Sequence, residues 1–253
     1  MPRQARDKSA SGIYHIMMRG INRQDIFHDD EDYSRFLLTL QNYREKSGYE
    51  IYAYCLMDNH VHLLLKVGNE PLEQIMRRIC GSFVYWYNAK YERIGNLFQD
   101  RFKSEVVEND SYFLTVLRYI HQNPLKAGIA TSIEHYQWSS MGEYINKPQL
   151  VDVGFALGLF GASKGKAVEK IIQFCKAAND DQCLEMQDRQ GLTDKEAGQI
   201  IKEVCQVENP LELQRLDKVT RNKYLKELKE GYRLSIRQIE RLTGVNRGVV
   251  LKV

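Results

Sequence analysis

An α+β fold is predicted for the first half of this chain, and an all-helical region after it, by three observations. Runs rich in β-forming residues alternate with runs whose apolar residues recur at helical spacing, in the order strand, helix, strand, strand, helix, strand, helix. Two of the strands meet at a corner so tight that they form a hairpin, which makes that pair antiparallel. Beyond about residue 148 the strand signals cease.

GIYHIMMRG is rich in β-formers and closes on Gly20, so Ile13–Arg19 reads as the first strand. DDEDYSRFLLTLQNYREKSG places acids at its start, apolar residues at helical spacing and a glycine at its end, which marks a helix over residues 30–46. YEIYAYCLM and HVHLLLKV form the hairpin, with Asp58 and Asn59 as turn residues. In the next helix Leu72, Ile75, Met76, Ile79 and Phe83 share one stripe, and Pro71 stands early, where its fixed φ is tolerated. FKSEVVE reads as a short strand, and DSYFLTVLRYIHQNP as a helix stopped by Pro124. The first six elements match the split βαβ pattern of ferredoxin-like sheets. The expected domains are residues 1–148, a helical extension over 149–214 and a basic region over 215–253.

The 253 residues, 43% of them hydrophobic, are enough for a sizeable core. The longest strongly apolar run, VGFALGLFG, falls well short of the roughly 18–20 residues a membrane span needs, so no membrane association is expected. MPRQARDKSASG reads neither as a secretory signal nor as a transit peptide, and a cytoplasmic location is the expectation. The five cysteines are odd in number and never fall two residues apart, which favours reduced structural thiols over zinc or redox motifs. Net charge is only +3, but it is unevenly placed. Residues 1–150 hold 18 basic and 18 acidic side chains, residues 151–210 hold 7 and 10, and residues 211–253 hold 11 and 5. A nucleic-acid partner for the last segment competes with an ordinary solvated helix face.

In MDNHVHLLLKV, strand alternation puts His60 and His62 on one face and turns Val61 to the other. Two histidines so placed can hold a metal, although strand histidines also serve as buried hydrogen-bonding residues. The helix after the last strand could supply a third ligand and a nucleophile. Phe113, Val116, Leu117 and Ile120 form its apolar stripe, while Tyr112, Tyr119 and Asn123 cluster on the flank. Tyr119 and Asn123 are one turn apart, so a phenol and an amide oxygen face one spot. Tyr119 could equally cap the core with its hydroxyl outward. His15 falls near the histidine pair if the first and third strands are neighbours, either behind the metal or as an ordinary sheet histidine. His121 lies on the far side of its helix. Arg19, Asn22 and Arg23 at the end of the first strand, and Arg101 and Lys103 before the last, are candidates for DNA contacts or plain surface charges.

DNHVHLLL followed some sixty residues later by RYIHQNPLKAG resembles the HUH-type single-tyrosine transposases. YHIMMRGINRQDIF, AYCLMDNHVHLLL, LFQDRFKSEVVE and YQWSS are similar, in the same order, to the members associated with repetitive extragenic palindromes, over roughly residues 12–144. The resemblance implies a metal-dependent enzyme that cleaves and rejoins single-stranded or hairpin DNA through a 5′-phosphotyrosine. It assigns Tyr119 as nucleophile and His60, His62 and Asn123 as ligands of Mg2+ or Mn2+. Members often carry glutamine at the third ligand position, and asparagine is also found among the palindrome-associated relatives. A monomer or homodimer is expected.

In SIRQIERLTGVNRGVVLKV, Ile236, Ile239 and Leu242 would pack inward, Gly244 would permit the turn and Asn246 would cap a short second helix. This predicts a helix-turn-helix that could engage duplex DNA through Arg237 and Arg247, with a plain helical hairpin as the alternative. Two other functions compete with the transposase reading. A non-enzymatic DNA-binding regulator could retain the same fold, and a metal-dependent phosphodiesterase could use Tyr119 only to position substrate.

Overall fold

The computed structural model describes residues 6–161, 163–184, 194–232 and 234–253. The chain forms two units, residues 1–186 and 187–253.

The first unit is built on a four-stranded antiparallel sheet of β1 (Ile13–Arg19), β2 (Glu50–Met57), β3 (His60–Lys66) and β4 (Lys103–Val106), in the order β2-β3-β1-β4. The first and third strands are neighbours, which is the condition for His15 to lie near the histidine pair. Their near-continuous apolar sequence follows from burial on both faces. On one face α1 (Asp30–Ser47) packs against α2 (Leu72–Lys90), with Phe36 edge-on to Phe83 at 5.1 Å and Cys80 of α2 3.3 Å from Met18 of β1. Asp29 and Asp32 form a capping box at the start of α1, and Gly48 ends it in the left-handed conformation, φ 66°.

The opposite face carries α3 (Asp110–Lys126), capped by Asn109. Here the structure corrects one expectation, because Pro124 lies inside the helix rather than ending it. The ring removes only the N–H that would reach the Ile120 carbonyl, and the next turn still closes through Ala127 N–H to Asn123 O at 2.9 Å. After α3 the chain adds to the β2 edge. Leu56 N–H bonds Trp138 O, Ser140 N–H bonds Tyr54 O, and Trp138 stacks on Tyr33 at 4.5 Å. The YQWSS motif is therefore a strap on the sheet edge.

Helices α4 (Met141–Ile145), α5 (Gly154–Gly158) and α6 (Lys164–Lys176) complete this unit. Val151, Val153, Ala156, Leu157, Ala167, Ile171 and Cys175 join the same core as the sheet. Helices α7 (Asp194–Cys205), α8 (Lys218–Glu230), α9 (Ile236–Thr243) and α10 (Arg247–Lys252) form the second unit around Ile201, Leu213, Leu225, Leu228, Ile239 and Val250. The segment 149–214 is thus shared between the two cores, whereas the sequence suggests a separate extension with boundaries at 148 and 214.

Helices α9 and α10 turn at Gly244, φ 68°, and Asn246 caps the second through Gly248 N–H at 2.8 Å. Ile239, Val245 and Val250 are buried, and Ile236, Leu242 and Val249 are partly so. All five cysteines are free thiols. No helix among the described residues is long and apolar enough to cross a membrane.

Candidate active site

Directly opposed residues of an antiparallel pair share a face, so the sheet register lays out the site. Three rungs cross the face under α3: Met57, His60 and Arg19; then Cys55, His62, Met17 and Lys103; then Ala53, Leu64, His15 and Glu105. Strand alternation thus places both motif histidines together, as the sequence implied, and adds His15, Arg19, Lys103 and Glu105 to them.

Tyr119 of α3 meets these rings. Its centroid lies 5.6 Å from that of His62 and 5.8 Å from that of His15, both nearly edge-on, while His60 lies 5.2 Å from His62. His15 Nε2 is 3.0 Å from His62 Nδ1. His15 is fully buried, His62 is 1% exposed and Tyr119 is 3% exposed. Loss of hydration pushes the His15 pKa down to about 3. Burial does the same to His62, reinforced by His15, His60 and the Arg19 charge, and holds it well below the usual histidine range. Both rings are neutral at pH 7, as metal ligation requires.

His60 is oriented from its own turn. Asn59 Nδ2 donates to Arg23 O at 3.3 Å, which directs Oδ1 at His60 Nδ1, 2.7 Å away. The proton then sits on Nδ1 and Nε2 carries the lone pair. In the sequence Asn59 reads only as a turn former. Asn123 Nδ2 donates to Tyr119 O at 2.9 Å, so its oxygen is the atom with acceptor capacity beside the tyrosine. Among the described residues no group of three or more His, Cys, Asp or Glu side chains is placed to hold a metal. Two imidazoles and an amide oxygen nevertheless suit a divalent first-row ion or Mg2+, with water or phosphate completing the shell.

Tyr112 has a different setting. Its hydroxyl lies 2.5 Å from Glu105 Oε2, and burial together with that carboxylate raises its pKa. His121, on the far side of α3, bonds Ser140 Oγ through Nε2 at 2.8 Å and is structural.

The other basic candidates are spread out. Asn22 and Arg23 are exposed in a 3-10 turn, Ile21–Arg23, both with positive φ. Gly20 precedes it because a Cβ there would sit 2.2 Å from Gln24 O. This turn is stitched to the hairpin by Gly20 N–H to Asn59 O and by Ile26 and Phe27 N–H to Asp58 O. Arg101 is exposed before β4. Beside it Arg6, which no sequence motif singles out, lies 3.7 Å over the Phe102 ring, and its pKa is lowered by burial and by Arg101. Arg237 and Arg247 are exposed on α9 and α10 of the second unit.

Residues 8–123 match the family described as IS200-like transposases. This segment of the first unit is similar to the IS200-like transposases. Its mixed α/β fold is also that of a solved REP-associated tyrosine transposase bound to a REP hairpin, at TM-score 0.52 and 18% identity over 60% of this chain and 90% of that one. A protein provisionally described as a transposase of Deinococcus radiodurans R1 is 18% identical over 48% of this chain and 97% of that one, with a TM-score of 0.35. No curated protein matches the sequence. The matched segment runs from Lys8, before β1, to Asn123 and contains the sheet, the histidine rungs and Tyr119.

Proposed function

We propose that the first unit cleaves and rejoins single-stranded DNA, with Tyr119 as nucleophile and a 5′-phosphotyrosine as intermediate. The observation that carries this reading is the edge-on packing of the Tyr119 ring against His62 and His15 on the face that also holds His60 and Arg19. Tyr119 Oη attacks phosphorus, the P–Oη bond forms and the P–O3′ bond breaks. The phenolic proton passes to solvent, and the departing 3′ oxygen gains one. Attack by a 3′ hydroxyl on the phosphotyrosine reverses the step and restores the phenol.

His60, His62 and Asn123 would hold Mg2+ or Mn2+, which when bound polarises the phosphate and stabilises charge on the leaving oxygen. Arg19 and Lys103, on the same sheet face, would neutralise phosphate on the approaching strand. Asn22, Arg23 and Arg101 would extend that track beyond the strand ends. Tyr119 is nearly closed off, so a phosphate reaches it only after the covering side chains shift. Lys126 Nζ, 5.1 Å from the Tyr119 ring centroid, is a cation poised beside that entry.

Three finer readings complete the proposal. The strand order supports a ferredoxin-like sheet. The REP hairpin bound by the similar transposase supports hairpin DNA as the substrate of this chain, and such a substrate would place the chain in the cytoplasm at the nucleoid. Helices α9 and α10, with Arg237 and Arg247 exposed, support a helix-turn-helix that grips duplex DNA.

The test is incubation with labelled single-stranded hairpin DNAs and Mn2+, followed by denaturing electrophoresis. A protein–DNA adduct that survives denaturation is expected. Turnover without an adduct would instead favour a phosphodiesterase, and binding with neither would favour a regulator.

A further inference from the structure

His15 and His62 are two neutral rings joined by one hydrogen bond, and one bond can hold only one proton. Two arrangements are available. If His62 Nδ1 carries the proton and donates to His15 Nε2, then His62 Nε2 has a lone pair and His15 carries its own proton on Nδ1. If His15 Nε2 donates instead, His62 Nε2 bears a hydrogen and cannot ligate anything.

The far side of His15 decides between them. His15 Nδ1 is buried with no hydrogen-bond partner among the described residues, and the atom facing it is Glu105 Oε2 at 3.9 Å. That oxygen is held in place as an acceptor by Tyr112 Oη at 2.5 Å and by Leu184 N–H at 3.1 Å. A carboxylate attracts a proton on His15 Nδ1 and repels a lone pair there; the Glu105 side chain is 39% exposed, but the nitrogen it faces is fully buried, so water screens the pair from one side only. We infer that Glu105 acts through His15 to fix the proton of His62 on Nδ1, leaving Nε2 as the ligating nitrogen.

Glu105 and His15 are positioning residues in this scheme, two links behind the proposed ligand. The inference deepens the reading of His62 as a ligand and rests on it only for its consequence in metal affinity. Asn59 does the corresponding work for His60 in a single step, so both motif histidines are set to the same tautomer by different neighbours.

The experiment is a long-range proton–nitrogen correlation spectrum of metal-free, nitrogen-15 histidine-labelled protein at pH 7, with a parallel Mn2+ titration. His62 is assigned by its proximity to the His60 ring, 5.2 Å between centroids, and by loss of its signals in His62→Asn. Nδ1–H forms of His15 and His62 are expected in the wild type. Glu105→Gln, whose amide can also donate, should move a large fraction of His62 to the Nε2–H form and weaken Mn2+ binding roughly 10- to 100-fold. Tyr112→Phe removes a hydrogen bond from Glu105 but keeps its charge, so the Nδ1–H pattern should persist. A merely structural role for Glu105 would instead move both variants alike.

Nε2–H on His62 in the wild type, or an unchanged pattern in Glu105→Gln, overturns the inference. If the pattern follows Glu105 but the wild type binds no Mn2+, the tautomer inference stands and the ligand reading falls.

Discussion

The hydroxyl of Tyr112 lies 2.5 Å from Glu105 Oε2, whereas Tyr119, about two turns further along the same helix, packs edge-on against His62. Both phenols lie toward the face that carries the histidines. Only Tyr119 is beside the proposed ligands, and Tyr112 is held protonated by a carboxylate.

Tyr119→Phe should therefore fold normally, bind DNA and form no adduct. Tyr112→Phe should still form adduct while losing about 1–3 kcal/mol of stability from its charge-assisted bond. Urea unfolding and denaturing gels on the two variants check this. An adduct in Tyr119→Phe that is missing from Tyr112→Phe would reverse the assignment.

His60→Ala and His62→Ala should each abolish metal-stimulated cleavage, because each removes one of two imidazoles from the same face. Val61 is fully buried on the opposite face, so Val61→Ala should lower stability by about 1–3 kcal/mol and leave saturated cleavage intact. Cleavage rates across an Mn2+ series, beside unfolding midpoints, separate the two effects.

Acid should destabilise the first unit above the range where carboxylates titrate. Burial lowers the pKa of His15 and His121 to about 3 and holds His62 well below its usual range. In each case the unfolded chain binds a proton more readily than the folded one. The stability they contribute is present above about pH 6.5 and is lost progressively as pH falls toward 3. At pH 5 His15 and His121 should each lower stability by about 2 kcal/mol relative to pH 7, with His62 acting in the same direction. His121→Gln can keep a bond to Ser140 and should flatten the dependence between pH 7 and 5. An unchanged slope would show that His121 already titrates normally in the fold.

Arg237 and Arg247 are exposed, so replacing both with glutamine should leave the second core intact. Duplex binding should weaken, and the slope of log K against log salt should become shallower by about 0.9 for each phosphate that is no longer neutralised. A truncation before Ser235 would be a poorer test, because it removes Ile239, Val245 and Val250 from that core. An unchanged slope would make α9 and α10 a structural hairpin.

What the sequence discloses about this site is mostly local. The alternation in HVHLLL puts His60 and His62 on one face, and the helical period pairs Tyr119 with Asn123, because both periods are set by backbone geometry alone. Glu105 is invisible in the sequence as part of the site, since its nearness to His15 depends on β4 pairing with β1 across about ninety residues of chain. The role of Asn59 is hidden because the amide serves a turn and a ring at once. Pro124 misleads because one missing backbone bond near a helix end is easily outweighed by the packing of Ile120 and its neighbours. The sequence marks residues 149–214 only as helical, and a helical pattern carries no address. Ile171 belongs to the sheet's core and Ile201 to the second.

The most direct measurement is mass spectrometry of the peptide left attached to DNA after digestion of the denatured adduct. The transposase reading predicts one nucleotide-bearing peptide, with its mass shift mapped to Tyr119 through a 5′ phosphate. Attachment at Tyr112 or another residue, or cleavage of hairpin DNA with no modified peptide, would contradict it.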